Sequence, residues 1–439
     1  MTKPTLRSLP AAALASIPGD LSPYWNEKCR ALQAALWCPT GDDCKVLAGS
    51  TAFIEQVASP FVSDLCPSFV RPALSGERPK VKEVSRKIRL YPTEGKWDRF
   101  LMAGRRAYNL AIEAFKERRE EADKQADFRR AIREQVAQEF PEAPRVLLDE
   151  AVNSAYLTRQ AVIERRMRGE SCDFSYRSRK DTKQSFVVER LARGGPFPTF
   201  LKCHLTEEIP QEALGKMAVV VREHGRWSLI CKINVKVAAE SQGKKTVACD
   251  PGVRTFISAY SPSVCAFIGH GFAAKMRPML LQLDKLLGRR KCLSNIKEWN
   301  QGHKDRARNL EKRIDSIFNK LQDVTDDLHR RAADYLTKNF DVILLPSFET
   351  SEMTSKQKRK ITSRTVRSML SLGHYRFKQF LIWSAYKRGK TVVDCSEAWT
   401  SRTDSRNGVI VDLGPKEWIN GLHRDVNGPR GIFLRALAA

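Results

Sequence analysis

The stretch Thr246-Val-Ala-Cys-Asp250-Pro-Gly-Val-Arg-Thr255 decides how the second half of this chain is read. Thr246 to Cys249 are small or β-branched, the composition of a short buried strand, and Pro251-Gly252 is a turn signal directly behind an acid. Asp250 therefore ends a strand, where its carboxylate projects from the sheet edge at the turn. An Asp before Pro-Gly is also a common turn former, so this residue alone leaves both readings open.

Outward from it, Thr255 to Tyr260 and Val264 to Ile268 read as two more strands in meander order, and residues 275–339 as long charged helices. Asp341 to Leu345 is a buried strand, and 359–388 a helix with Phe377, Phe380, Leu381 and Ser384 on one face, stopped by Gly389. Thr391 to Cys395 is another strand, 398–422 a polar loop and 423–437 a final helix. Three meandering strands followed by strand, helix, strand, helix is the order expected of an RNase H-like sheet.

Upstream the pattern differs. Val84, Ile88 and Leu90 alternate with Ser85, Lys87 and Arg89, a half-buried strand that Pro92 should end. Residues 95–170 carry few Gly or Pro and place Leu101, Tyr108, Ile112 and Phe115 at helical spacing, which predicts a charged helical bundle. Alternation returns at 217–237 around His224-Gly225-Arg226, a hairpin with a Gly turn. Residues 1–80, rich in Pro, Ser and Gly, form an N-terminal extension whose order the pattern does not decide.

A chain of 439 residues suggests two to four packed units. Its 76 Lys and Arg against 50 Asp and Glu give a formal charge of +26, spread through folded-looking segments, so the expected partner is nucleic acid. The eleven cysteines show no repeated spacing and no CxxC pair, and read as reduced thiols of an intracellular protein. Apolar runs fall far short of the ~20 residues that a membrane helix needs, so a soluble protein with no membrane partner is expected.

Phosphodiester hydrolysis needs a hydroxide nucleophile and charge relief on the leaving oxygen, which two Mg²⁺ ions held by hard oxygen ligands supply. Acids at the ends of adjacent strands would hold them. Asp250 fits, and Asp425, in His423-Arg-Asp-Val-Asn-Gly428, opens the last helix, where Asp is also a common N-cap. Glu349, Glu352 and Glu397 follow the intervening strands, and spacing does not choose among them.

Asp250-Pro-Gly-Val-Arg254, Leu345-Pro-Ser-Phe-Glu349-Thr-Ser-Glu-Met353, Ser396-Glu-Ala-Trp-Thr-Ser401 and His423-Arg-Asp-Val-Asn427 resemble, in order, the RuvC segments of the TnpB family and its eukaryotic and viral relatives, the Fanzors. Phe174-Ser-Tyr-Arg-Ser-Arg-Lys180 resembles the family's segment leading into the wedge domain, and Ser22-Pro-Tyr-Trp-Asn-Glu-Lys-Cys29 is similar to Fanzors. The likeness covers roughly 81–439. It implies an α/β multidomain fold: a RuvC (RNase H-like) nuclease domain, a wedge β-barrel-like domain and a helical REC domain. The expected parts are a wedge strand at 81–94, REC helices at 95–172, the wedge at 173–243, the nuclease at 244–397, a degenerate zinc-ribbon insert at 398–422 and the final helix at 423–439.

The resemblance further implies an RNA-guided DNA endonuclease, a monomeric ribonucleoprotein with an omega-type guide RNA and double-stranded target DNA. It would be nuclear if eukaryotic, cytoplasmic if bacterial, and not secreted. Asp250, Glu397 and Asp425 would ligate two Mg²⁺ ions, with Glu349 the alternative acid, and Arg177, Arg179, Lys180, Arg254, Arg424 and Arg430 would contact nucleic acid. Two departures stand out. Many family members end the fourth strand in Glu, whereas Pro346 stands there, and Glu397 matches a relocated Glu. The family's two Cys pairs are missing from Thr400-Ser-Arg-Thr-Asp-Ser-Arg-Asn-Gly408, so no zinc is expected and other contacts must hold the loop, or leave it mobile. The alternative is a catalytically inactive, domesticated RNA/DNA-binding protein. A DDE transposase fits less well, since its last acid is typically Glu.

Overall fold

The computed structural model describes residues 54–58, 81–241, 243, 245–296, 298–346, 354, 361–395, 400–411, 418–419 and 422–438. Contacts divide the chain into two compact units, Val81–Val235 and a second formed by Met1–Lys80 with Lys236–Ala439. The fold is mixed α/β and multidomain, as expected. No helix of the described residues is long and apolar enough to cross a membrane.

In the first unit, β2 (Val81–Gly95) leads into helix α1 (Trp97–Lys116), followed by α2 (Gln125–Glu139) and α3 (Arg145–Met167). Strands β3 (Lys183–Val188), β4 (Leu201–Leu205), β5 (Ala218–Glu223) and β6 (Arg226–Lys236) complete a sheet in the order β3-β5-β6-β2-β4. Ile88 and Leu90 of β2 are buried as the alternation requires. Pro92 does not end this strand; pairing with β4 continues past an irregularity at Pro92/Glu94, because a bulge accommodates a residue that has no N–H to donate. The β5–β6 hairpin turns through His224 and Gly225 at φ 45° and 70°, the two positive values of a type I′ turn. Helices and sheet share one apolar core, in which Phe100 and Ile112 of α1 and Leu148 of α3 join Ile88 and Phe186.

The second unit is built on a six-stranded sheet ordered β1-β9-β8-β7-β10-β11. Its strands are β1 (Ile54–Ala58), β7 (Thr246–Pro251), β8 (Ile257–Ser261), β9 (Val264–Ile268), β10 (Val342–Pro346) and β11 (Thr391–Cys395). β7, β8 and β9 are an antiparallel meander, while β10 runs parallel to both β7 and β11. Meander first, then two parallel strands added beyond β7, is the RNase H-like arrangement. β1, from the stretch to which the sequence assigned no element, adds an antiparallel edge on β9.

Alternate residues of β7 face opposite layers. Val247 and Cys249 join a core made with α4 (Phe272–Ser294), α5 (Gln301–Asn339) and α7 (His374–Lys387), whereas Ala248 packs with Val426, Ile432 and Phe433 of α8 (Arg424–Ala438). Asp250 shares the parity of Ala248 and so points to the α8 side. The helix expected over 359–388 is broken at Gly373, whose left-handed φ of 61° separates α6 (Ser363–Leu372) from α7.

Candidate active site

Asp250 is half-buried at the end of β7, opposite Ser258 of β8. Parallel pairing puts Leu344 of β10 beside Ala248, so Pro346, two residues further along, reaches the level of Asp250, and Cys395 of β11 pairs with Pro346. The C-terminal ends of β7, β10 and β11 therefore form one edge. In sequence Glu349 follows β10 and Glu397 follows β11; both acids lie outside the described residues.

Across this edge runs the first turn of α8. Gly428 lies so close to Asp250 that a β-carbon there would overlap Oδ2 and stand 3.1 Å from Cγ. Any side chain at 428 would have to push the Asp250 carboxylate aside. Asp425, one turn earlier, is thereby carried to the same end of β7. Its Oδ2 accepts a hydrogen bond from Thr255 Oγ1 at 2.9 Å, and Thr255 Oγ1 lies 2.9 Å from His270 Nδ1. A hydroxyl has one proton, and a carboxylate can only accept, so Nδ1 of His270 must be the protonated nitrogen. His423 Nδ1 accepts from the Asp425 backbone N–H at 3.2 Å, which satisfies one donor of the helix start. Thr255 and His270 carried no sequence signal of this role, since a Thr after a turn and a His before a Gly are common everywhere.

The described part of the loop behind the site, 400–411, is buried at its centre. Asp404 and Ser405 are fully buried, and Thr400 and Thr403 nearly so. Arg406 donates to Asp404 through Nη2 at 2.7 Å and Nε at 3.0 Å, and Gly408 N–H donates to the Asp404 carbonyl at 2.8 Å. Two buried residues of α8 hold this turn. Asn427 accepts from Ser405 N–H at 2.7 Å and donates to the carbonyls of Thr403 at 2.8 Å and Thr400 at 3.4 Å. Arg430 donates to the Ser405 carbonyl and, at 3.2 Å, to its hydroxyl. Of the two outcomes expected for a loop without cysteines, the described part, 400–411, is held by side-chain hydrogen bonds.

That use of Arg430 corrects its expected role as a nucleic-acid contact. The residue is 1% exposed, and its guanidinium donates within the fold. Arg177, in the other unit, is likewise engaged: it lies 3.7 Å from the Tyr108 ring centroid and donates to Ser154 Oγ at 2.7 Å. Burial holds its pKa below the ordinary arginine value. Arg179, Lys180, Arg254 and Arg424 are exposed. Among the described residues no group of three or more His, Cys, Asp and Glu could hold a metal ion. The described carboxylates at this edge are Asp250 on β7 and Asp425 on α8, hard-oxygen donors of the kind that Mg²⁺ prefers.

No family model matches the chain. It is 29% identical over 175 residues to a TnpB-like protein of Acanthamoeba polyphaga mimivirus, covering 39% of this chain and 32% of that protein. It is 28% identical over 205 residues to a protein of Paramecium bursaria Chlorella virus 1 named as a candidate transposase, covering 44% of each. The matches thus span about a third to under half the length of these curated relatives. A solved Cas12f1 chain, from a complex with sgRNA and target DNA, aligns over 76% of this chain and 81% of its own, with 12% identity and a TM-score of 0.42. Over these segments the chain is similar to TnpB-like proteins of giant viruses.

Proposed function

We propose that this protein is an RNA-guided DNA endonuclease of the RuvC type. The observation that carries the reading is the crossing of α8 over the end of β7, which brings Asp250 and Asp425 to one sheet edge. The RNase H-like strand order, the +26 charge and the kinship with TnpB-like proteins support it.

In this reading Asp250 and Asp425, with Glu397 as the third acid and Glu349 as its alternative, would hold two Mg²⁺ ions. Such ions would activate water for attack and relieve the charge on the leaving oxygen. The chain's own residues do the positioning. β7 fixes the Asp250 backbone, Gly428 keeps the helix close to its carboxylate, and the hydrogen bond from Thr255 to Oδ2 sets the rotation of the Asp425 carboxylate. Sequence would be read by pairing between guide RNA and target, with the protein gripping backbone and a short flanking motif.

The test uses the full chain with its copurified RNA, Mg²⁺ and a DNA target matched to that RNA beside a randomised flank. Asp250→Ala and Asp425→Ala are each expected to abolish cleavage and leave DNA binding intact, since phosphate is held elsewhere by cations. Wild-type protein that binds RNA and target but cuts nothing would favour the inactive, domesticated binding protein instead.

A further inference from the structure

The pair α4 and α5 is far longer than the sheet it covers. Phe340, at the end of α5, leads into the start of β10, at the opposite end of the sheet from Asp250. Leu328 packs against Gly269 just after β9, at the Asp250 end. From Leu328 back to Gln301 the helix therefore runs past that end by roughly 40 Å at 1.5 Å per residue. α4 accompanies it, and Leu283, Leu286, Leu310 and Ile314 bury the seam between them. The hairpin end is ordered by a capping box, in which Asn300 Oδ1 accepts from His303 N–H at 2.8 Å and His303 Nδ1 from Asn300 N–H at 3.3 Å.

Charge is segregated along this arm. Residues 315–339 hold four Lys and Arg against five Asp, with pairs such as Arg331–Asp327 at 3.0 Å and Lys338–Asp334 at 2.7 Å. Residues 285–313 hold ten Lys and Arg against three acids. Lys285, Arg289 and Arg290 on α4, and Lys304, Arg308 and Lys312 on α5, are all exposed. The described ion pairs there, Arg290–Glu311 at 3.5 Å and Arg308–Asp305 at 3.4 Å, are exposed and weak. A merely solvated helix pair has no reason to collect cations at one end while balancing them at the other.

We infer that the far end of this arm grips the phosphate backbone of the DNA duplex leading away from the cleaved strand. Lys304, Arg308 and Lys312 recur every fourth residue and so line one face of α5, on a scaffold that needs no ordering when DNA arrives. They stand roughly 24 to 36 Å beyond Leu328 by helix rise. That corresponds to about 7 to 11 base pairs, at about 3.4 Å each, from the end of the sheet that carries Asp250. The inference rests on the nuclease reading for the identity of the duplex. The unbalanced charge itself is independent of that reading.

The experiment compares full-length protein carrying Lys304→Gln, Arg308→Gln and Lys312→Gln with a control carrying Lys320→Gln, Arg330→Gln and Lys338→Gln in the balanced half. The probe is a 30-base-pair DNA duplex, and RNA copurified per protein is measured in parallel. The arm variant is expected to lower the log–log salt slope of DNA binding by about three and the control to leave it unchanged, while copurified RNA stays constant. An unchanged DNA slope overturns the inference, and a loss of copurified RNA, with or without a change in slope, assigns the arm to RNA and overturns it too. Wild-type protein with no salt-dependent DNA binding removes the nuclease reading as well, whereas wild-type binding that the arm variant retains in full removes the arm alone.

Discussion

Gly428 of the last helix and Asp250 of the central strand touch, glycine backbone against carboxylate, across 178 positions of sequence. Contact this close means that a side chain at 428 and the Asp250 carboxylate cannot both keep these positions. Gly428→Ala is expected to displace the Asp250 carboxylate and cut guided cleavage about 100-fold, the size of effect that a displacement near 1 Å produces. Affinity for RNA and DNA should not change. Full activity in the alanine variant would show that the carboxylate has room to move without consequence.

The third acid can be assigned by parallel substitution. Glu397→Ala is expected to abolish cleavage and Glu349→Ala to leave it nearly intact. The reverse pattern would move the acid to the end of β10 while keeping the nuclease reading.

Asn427 and Arg430 should act on stability and on the loop rather than on nucleic-acid affinity. Asn427→Ala leaves the buried Ser405 N–H and the Thr403 carbonyl without this partner, at a cost of about 2–4 kcal/mol. Limited proteolysis within 400–411 should accelerate in both Asn427→Ala and Arg430→Met. Unaltered proteolysis with weakened DNA binding would restore Arg430 to the nucleic-acid interface.

Because hydrogen bonds from α8 hold 400–411, a chelator is expected to leave the melting temperature unchanged, and metal analysis to find no stoichiometric zinc. Replacing Cys395 should leave cleavage largely intact. One tightly bound zinc per chain would show that residues beyond the described turn supply ligands.

Acid should destabilise the second unit through two buried histidines. The Phe256 ring is flanked by His329 and His374, at 5.4 Å and 5.0 Å between centroids. Burial lowers both pKa values to about 4, helped at His329 by the charge of Arg376 and at His374 by His329. Unfolded histidines, with pKa near 6.5, bind more protons between pH 4 and 6.5, so stability is complete above about 6.5 and falls as pH drops through that window. Each group contributes about 1.4 kcal/mol per pH unit there. Urea midpoints measured from pH 7 to 4 should decline, and His329→Gln should flatten the decline; an identical slope in the variant would exclude His329 as a source.

Much of the second unit is legible in the sequence. Small and β-branched runs ending in turn signals locate β7 through β11, and helical spacing locates α4, α5 and α8, because a strand's two-residue period and a helix's near-four-residue period are local properties. Breaks set by backbone conformation are less visible: Gly373 in a helical run can be tolerated or left-handed, and Pro92 in a strand can end it or sit at a bulge, with surrounding contacts deciding.

By itself, the sequence determined the basic charge, the order of strands and the placement of Asp250 and Asp425 at element ends, since composition and periodicity need no partner to be read. Only the tertiary structure decided that Thr255 bonds Asp425 across 170 positions, that Arg430 is buried under Ser405 instead of facing phosphate, and that the charge of α4 and α5 gathers at the end of an arm. Periodicity assigns a residue to a face but not to the element that covers it. A polar side chain's role follows from whether that cover supplies partners or leaves it to water.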